Sequence, residues 1–480
     1  MNLETASIQF VFFGLAAALV SSFTRSRLWR SAVLLLTSLL FIGLVERNPL
    51  ELLPLAAFLG LGYACLFFLK RKWSRTLPVI LVAVMFTYIW LKKYTFLPET
   101  IFLHSPYFTL GLSYIFFRVL HVLIEAGDNA EFERISLGQY LVYTLNFTTF
   151  ISGPIQRYDE FAQDQFAVSP LPLGPRVVGL QLERIVRGFF KVNVLAFIFN
   201  IIRLDAFEKV TQPGPGSLKL LPAFELAIVY PLFLYANFSG YIDIVIALAR
   251  LMRLRLPENF DRPFSACSPL EFWNRWHITL SSWLKCYVYN PLMIALMRRF
   301  PSPSAAPMLG VFAFFVTFFL IGLWHGRTSE FLMFGLLCGG GVSLNKLWQL
   351  RLTARLGRRK YKAFAGHPVY QTFARGLNFV WFSFTLFWFW TDWHNIESIF
   401  FALSGLEWAV VWLTAWIAVA FALALWEWLR LRLLSIKTLE GPMLTSRYAL
   451  VVYASAMGLA AFVLTVLLNQ PAPSIVYKTF

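Results

Sequence analysis

Apolar stretches of membrane-spanning length recur from one end of this 480-residue sequence to the other. Hydrophobic residues make up 58% of it and charged residues 14%, and the mean hydropathy is +0.63, which excludes a water-soluble globular protein. A bilayer offers no hydrogen-bond partners to an exposed backbone, and the alternation expected of a closed β-barrel is missing. The pattern therefore predicts an all-α polytopic membrane protein.

The apolar segments that have the length needed to cross a bilayer are distributed along the whole chain. They lie at 8–23, 31–45, 50–69, 77–91, 107–125, 137–152, 222–250, 308–325, 329–349, 371–390, 407–429 and 447–468. Two further segments, 176–203 and 270–297, contain charged residues and fit half-buried, re-entrant or surface-lying helices. We expect about 11–13 transmembrane or re-entrant helices in all. No internal repeat or long linker divides them, so residues 1–480 are predicted to form a single membrane domain.

The formal net charge of +17 is spread over the loops between these segments. This is typical of basic cytoplasmic loops and not of nucleic-acid binding. The basic runs at 25–30, 70–75 and 351–362 are then cytoplasmic, and both termini are predicted to lie outside. No basic region precedes the first apolar run, so we expect a retained first span and not a cleaved signal peptide.

Simple metal, disulfide and hydrolase motifs are missing from the sequence. The four cysteines, Cys65, Cys267, Cys286 and Cys338, form no CxxC pair, so neither a disulfide framework nor a zinc site is predicted. There is no HExxH motif and no GxSxG motif.

Polar residues crowd together in EFWNRWHITLSSWLKCYVYNPL (271–292). On one continuous helix, four side chains spaced three or four residues apart would share a face: Asn274, His277, Ser281 and Lys285. This stripe fits an interfacial amphipathic helix anchored at the lipid headgroups. It equally fits a helix whose polar face lines a cavity.

A second Trp-His pair lies in GLWHG, where Gly322 and Gly326 flank Trp324 and His325. Glycines at this spacing let another backbone or a thin substrate approach closely. A single histidine in apolar sequence is often only a packing residue, but a neutral imidazole also accepts the proton of an attacking hydroxyl. Because two Trp-His pairs occur, each near glycine or hydroxyl residues, we favour a functional site.

Two more polar insertions interrupt the apolar sequence. In SGPIQRY, Gly153 and Pro154 are predicted to end the preceding helix. Arg157 follows either as a headgroup anchor or as a clamp for phosphate or carboxylate. Asp243 lies within an apolar run, where a carboxylate is costly, so it should form a structural salt bridge or line a substrate path.

Taken in order, the motifs FSGYID, LPENFDRPF (256–264), EFWNRWHITLSSWLKCYVYNPL and GLWHG resemble the membrane-bound O-acyltransferase superfamily. They look most like its bacterial branch, which serves alginate O-acetylation and teichoic-acid D-alanylation. SGPIQRY is similar to the GPIxRY element of that branch, although LPENFDRPF by itself is typical of a surface loop. The resemblance implies a catalytic core at 136–350, between N-terminal helices at 1–135 and C-terminal helices at 351–480.

The resemblance implies acyl transfer along a narrow central tunnel, in which a cytoplasmic thioester meets a hydroxyl acceptor from the other side. The donor would be acetyl-CoA, another acyl-CoA or an acyl-carrier thioester, with no permanently bound cofactor and no metal. His325 would be the main catalytic residue and His277 would assist it. The candidate substrate-binding or tunnel-lining residues are Trp324, Trp276, Arg275, Asn274, Ser281, Arg157, Tyr241 and Asp243.

Two positions depart from the pattern of the family, and the tail adds a further feature. Cys286 stands in KCY where the family often has an aspartate, and Cys338 stands where a further histidine often follows GLWHG. The tail SIVYKTF is a degenerate form of an aromatic-rich ending, in which Tyr477 would relay an acyl group. A frayed terminus is the simpler interpretation of that tail.

These features predict a multi-pass enzyme of the bacterial cytoplasmic (inner) membrane that moves a small acyl group, expected to be acetyl, towards an extracytoplasmic polysaccharide. Its expected partners are membrane lipid, the polysaccharide or a separate periplasmic acetyltransferase, and an acyl carrier protein, but no nucleic acid. One alternative is D-alanyl transfer from a carrier protein to teichoic acid. Another is a non-enzymatic transporter or flippase, although the matching halves typical of transporters are missing.

Overall fold

The computed structural model describes residues 7–69, 76–126, 132–438, 441–442 and 446–467, and this part of the chain is almost entirely helical. By length and composition, eight of its helical segments could cross a membrane. They are Arg27–Val45, Pro49–Leu69, Pro175–Thr211, Gly216–Leu251, Ala306–His325, Ser329–Leu356, Gly405–Ser435 and Arg447–Thr465. The prediction of an all-α polytopic membrane protein is confirmed.

The first half of the chain contains both long and short helices. These helices are α1 (Ile8–Ser21), α2 (Arg27–Val45), α3 (Leu53–Leu69), α4 (Leu77–Leu91), α5 (Leu112–Ala126), α6 (Leu137–Leu145), α7 (Tyr158–Gln165), α8 (Pro175–Phe190), α9 (Ala196–Thr211) and α10 (Gly216–Leu251). A π-helical turn, Lys191–Leu195, joins α8 to α9. The charged segment predicted at 176–203 is therefore part of a helix of spanning length.

The second half contains more short helices than the first. Its elements are α11 (Pro269–Trp273), α12 (Ile278–Leu284), α13 (Asn290–Arg299), α14 (Ala306–His325), α15 (Ser329–Leu356), α16 (Arg358–Ala365), α17 (Pro368–Thr385), α18 (Phe387–Trp390), α19 (Trp393–Phe401), α20 (Gly405–Ser435) and α21 (Arg447–Phe462). Two-residue strands β1 (Lys437–Thr438) and β2 (Gly441–Pro442) pair antiparallel between α20 and α21.

The span predicted at 137–152 is wrong in its second half, because α6 ends at Leu145. The buried guanidinium of Arg118 donates to the carbonyls of Tyr143 (3.2 Å) and Thr144 (2.7 Å). A side-chain donor thus takes the place of the amides that would have continued the helix. The chain then turns through Phe147–Thr149 before it reaches the Gly-Pro pair.

Backbone contacts group the chain into two compact units. The first contains the described parts of Met1–Val192 and Phe238–Glu258, and the second contains the described parts of Asn193–Asn237 and Asn259–Asn469. The expected single domain, with its subdivisions at 135 and 350, stays a prediction.

Aromatic rings fill the core of the first unit. The Phe10 ring lies 5.8 Å from that of Phe41 and 6.4 Å from that of Phe147, measured between centroids. Phe13 meets Phe147 edge-on at 5.4 Å. Such edge-to-face pairs stabilise the packing by about 0.5–1.5 kcal/mol beyond the area they bury.

Close helix packing in the second unit depends on glycines. α14 and α15 run against each other, and a Cβ placed on Gly322 would lie 2.3 Å from the Gly335 Cα. α17 and α20 approach in the same way, because a Cβ on Gly376 would lie 2.6 Å from that of Ala420. Small residues at these crossings let the backbones meet, as is common between membrane helices.

Candidate functional site

His277 lies at a break in the polypeptide and not within a helix. α11 ends at Trp273 and α12 begins at Ile278, and His277 between them has left-handed backbone angles, φ 46° and ψ 51°. The prediction of one continuous helix with a polar stripe is therefore wrong. A residue other than glycine in this conformation carries strain of about 1–3 kcal/mol, and such residues are found preferentially at functional sites.

The segment that follows α10 stabilises the break between α11 and α12 through hydrogen bonds. The Ile278 amide donates to the Asn259 carbonyl (3.0 Å), and the Asp261 amide donates to the Arg275 carbonyl (3.0 Å). These strand-like bonds occupy the Ile278 amide and the Arg275 carbonyl, both of which a continuous helix through His277 would use. The Asn259 side chain adds a second anchor, because its Oδ1 accepts from the Thr279 hydroxyl (2.6 Å) and amide (3.1 Å).

This arrangement corrects the interpretation of LPENFDRPF as a surface loop. Asn259 at its centre is fully buried, although Glu258 and Asp261 on either side are exposed. The loop thus exposes its charged side chains, while Asn259 anchors the backbone next to His277.

His325 is the last residue of α14 and is 2% exposed. Its imidazole lies within a ring of aromatic side chains: Trp324 at 4.8 Å, Phe389 at 5.2 Å and Phe334 at 5.8 Å between centroids. Gly326 follows at once, and a Cβ there would overlap the ring of Phe331. Because Gly326 has no side chain, the chain can leave α14 in direct contact with the Phe331 ring.

The indole of Trp324 connects the two histidines. It meets the His277 ring at 6.2 Å and the His325 ring at 4.8 Å, in both cases at a steep angle. His277 is fully buried and lies outside the helices long enough to span a membrane. Burial lowers the pKa of His277 to about 3, because removal from water disfavours the charged imidazolium. The imidazole is therefore neutral near pH 7 and has a lone pair with which to accept a proton.

Trp276 packs within a cluster of aromatic rings next to His277. Its indole is 1% exposed and stacks on Phe272 at 5.5 Å and 17°. The rings of Phe260 and Phe382 meet it at 5.1 Å and 5.2 Å. Its place in this cluster gives Trp276 a packing role next to His277.

The other polar residues of the first motif are separated by the helix break. Arg275 forms ion pairs with Glu271 (3.1 Å) and Asp261 (3.3 Å) and lines a polar cavity. Asn274 is exposed. The Ser281 hydroxyl is buried and has no hydrogen-bond partner among the described residues.

Asp243 lies in the first unit and has cationic partners from the segment that begins with α8. Its carboxylate contacts Lys191 at 2.7 Å, Arg184 at 2.9 Å and Arg187 at 3.4 Å. Arg184 also pairs with Glu258 at 2.6 Å. Of the two roles predicted for Asp243, the structure provides a salt-bridge network.

Two more candidates belong to the same unit as Asp243. Arg157 is half-buried and precedes α7, whose first turn carries Asp159 and Glu160. Tyr241 is fully buried, with its ring 6.3 Å from that of Phe10. The predicted acyl relay, Tyr477, lies outside the described residues.

Some residues of the site carried no clear signal in the sequence. Phe334 and Phe389 enclose His325, yet they are two phenylalanines among 50 in the chain. Asn259 was findable, since it is the one amide in a motif that otherwise consists of charged, apolar and proline residues. Within the described residues, no cluster of His, Cys, Asp or Glu is placed to hold a metal ion.

The helical fold and the paired histidines define a class: a polytopic membrane protein in which one tryptophan joins two buried imidazoles. The model of the MBOAT, membrane-bound O-acyltransferase, family matches residues 74–384. This is more than half of the chain, and it includes both Trp-His pairs. The chain therefore belongs to the membrane-bound O-acyltransferase family, as the motifs indicated.

Three bacterial relatives illustrate the range of the family. A Teichoic acid D-alanyltransferase of Streptococcus thermophilus is 32% identical over 254 residues, which cover 53% of this chain and 60% of the relative. A Peptidoglycan O-acetyltransferase of Helicobacter pylori is 33% identical over 217 residues, 44% of this chain and 38% of the relative. A Probable alginate O-acetylase AlgI of Pseudomonas fluorescens is 28% identical over 246 residues, 51% of this chain and 46% of the relative. The chain thus matches about half the length of these relatives.

Proposed function

We propose that this protein is an O-acyltransferase that moves a small acyl group, acetyl, from a cytoplasmic thioester to a hydroxyl acceptor used for modification of an extracytoplasmic polysaccharide. The observation that carries the proposal is the pair of buried histidines joined by Trp324. Family membership and the names of the O-acetyltransferase relatives support the reaction class and the acetyl group.

The chemistry requires little more than alignment and one proton acceptor. The acceptor hydroxyl attacks the thioester carbonyl and gives its proton to a neutral imidazole. The new C–O bond forms, the C–S bond breaks, and the leaving thiolate takes the proton back. His325 is assigned to this role and His277 to positioning, which is the division of roles that the resemblance of the two motifs to the family implies. The aromatic rings around His325 exclude the water that would otherwise hydrolyse the thioester.

The proposal places the protein in the bacterial cytoplasmic membrane, with its basic segment at 351–362 on the cytoplasmic side and both termini outside. A tunnel would carry the thioester and the acceptor to His325. The acetyl group would pass to the polysaccharide directly or by way of a periplasmic acetyltransferase. Tyr477 stays a predicted relay within this scheme.

The test uses the full-length protein in membrane vesicles supplied with labelled acetyl-CoA. His325→Ala should abolish acyl transfer, whereas His277→Ala should reduce it less. His394→Ala is the matched control, because His394 is exposed and should leave the rate unchanged. Full transfer activity in His325→Ala would rule out the assignment of the general base. Accumulation of a substrate in the vesicles without acyl transfer would favour the transporter alternative.

D-alanyl transfer to teichoic acid is the second candidate. It is favoured by the D-alanyltransferase of Streptococcus thermophilus, which shares 254 aligned residues with this chain. The same vesicles supplied with a D-alanyl-loaded carrier protein distinguish the two donors. Transfer from the carrier and none from acetyl-CoA would select D-alanylation.

A further inference from the structure

A large apolar cavity lies in the second unit, and neither His277 nor His325 is among its lining residues. Its volume is about 890 Å³, and it is walled chiefly by α15 and α17. Its main apolar lining residues are Leu344, Trp348, Phe373, Leu377, Trp381 and Trp416. Leu344 and Leu377 are more than half exposed, so the cavity opens at the protein surface. The volume is within the range of about 300–1,000 Å³ that is usual for small-molecule sites.

A polar cavity of about 440 Å³ adjoins the apolar one, and the two share Cys267, Asn345 and Tyr370 as lining residues. The charged residues that line this polar cavity are Arg262, Arg275, Arg375, Arg430, Glu271 and Glu427. The two spaces together have the form expected for an amphiphile, with one charged end and one apolar end.

The charges of the polar cavity are not balanced. Glu427 pairs with Arg430 at 2.6 Å, and Glu271 pairs with Arg275 at 3.1 Å. The Asp261 carboxylate contacts Arg262 at 3.3 Å and completes a third pair. Arg375 forms no ion pair within the described residues. Its Nε donates to the Ser265 carbonyl at 3.2 Å, its side chain also hydrogen-bonds Cys267, and the Glu427 carboxylate lies near enough to interact with its charge. One guanidinium that no carboxylate pairs with directly therefore lines the polar cavity.

A basic segment lies beside the same cavities. Residues 351–362 join the end of α15 to α16, and six basic side chains in it are exposed: Arg351, Arg355, Arg358, Arg359, Lys360 and Lys362. Clusters of this kind next to a membrane helix attract anionic lipid headgroups to the cytoplasmic surface. The segment would thus concentrate such lipids near the open side of the cavities.

We propose that the two cavities form a binding site for one anionic membrane phospholipid. The phosphodiester headgroup accepts hydrogen bonds from Arg375 in the polar cavity, and an acyl chain fills the apolar cavity. A guanidinium offers paired donors that match phosphate oxygens. A thioester donor fits less well, because its arm carries amide groups that need hydrogen-bond partners. The apolar cavity offers few polar side chains as such partners, among them Asn345, Asn378, His367 and Tyr370.

The experiment uses the full-length protein in nanodiscs of equal parts phosphatidylglycerol and phosphatidylcholine. Native mass spectrometry then counts the lipids that stay bound after detergent release. The wild type should retain one phosphatidylglycerol in preference to phosphatidylcholine. Arg375→Gln should weaken this retention about tenfold through the loss of charge-assisted hydrogen bonds. Arg358→Gln removes the same charge from an exposed position and should lower retention less than Arg375→Gln.

A second variant tests the apolar half of the site. Ala374 lines the apolar cavity, and Ala374→Phe should fill part of it and reduce the retention of phosphatidylglycerol without altering any charge. It also keeps the test decisive if Arg375→Gln fails to fold.

Three results would overturn the proposal. Equal retention of the two lipids by the wild type would show that the cavities do not select charge. Equal losses of phosphatidylglycerol retention in Arg375→Gln and Arg358→Gln would show that general surface charge, and not the polar cavity, retains the lipid. Unchanged lipid retention in Arg375→Gln, combined with a raised KM for the thioester in the vesicle assay, would identify the polar cavity as a donor site instead.

Discussion

Replacement of Gly335 by alanine should force α14 and α15 apart near the C-terminal end of α14, where His325 lies. The added Cβ would lie 2.5 Å from the Phe319 carbonyl oxygen and 3.2 Å from the Gly322 Cα. Both are backbone atoms, which cannot rotate out of the way. A separation of about half an ångström is needed to bring the shorter contact to 3.0 Å, and overpacking of this kind destabilises by about 1–3 kcal/mol.

The displacement should reach the imidazole, because Phe334, next to Gly335, packs against the His325 ring at 5.8 Å. A misplacement of 1 Å can slow an enzymatic reaction about a hundredfold, so half of that should lower the rate about tenfold. The rate of acyl transfer in vesicles and the thermal unfolding of the purified protein measure the two effects separately.

Gly340→Ala is the matched control on the same helix. A Cβ at Gly340 meets nothing within 4 Å. It should therefore keep the wild-type rate and gain up to about 1 kcal/mol from the better helix propensity of alanine. A Gly335→Ala protein with the rate and stability of Gly340→Ala would refute the close crossing of α14 and α15.

Two predictions concern buried polar groups. Asp243→Asn removes the charge that balances three cations and should lower the free energy of unfolding by about 3–5 kcal/mol, measured by thermal unfolding; an unchanged melting temperature would contradict the network. Asn259→Ala leaves the Thr279 hydroxyl and amide without their acceptor and should cost about 1–3 kcal/mol. Its acyl-transfer rate should also fall, because the backbone beside His277 loses its anchor; a stable variant with the wild-type rate would show that the anchor is not needed.

The sequence by itself determined the membrane helices and the motifs. Backbone groups in lipid must bond within their own helix, so about 18 consecutive apolar residues are enough to predict α14 or α20. Residue types in a fixed order likewise indicated the family, because GLWHG and the segment around His277 carry their chemistry locally. The net charge and the basic segment at 351–362 could also be predicted from the sequence, since neither depends on contacts with other parts of the chain.

Only the tertiary structure decided how the site is built. Local periodicity predicted a continuous helix through His277. Hydrogen bonds with the Asn259 carbonyl and the Asp261 amide, which lie 16 to 18 residues earlier, replaced those of the helix. Phe389, which packs against His325, and the cations around Asp243 come from residues far away along the chain. A hydrophobic pattern records which side chains avoid water, whereas the identity of their neighbours depends on how distant helices pack against one another.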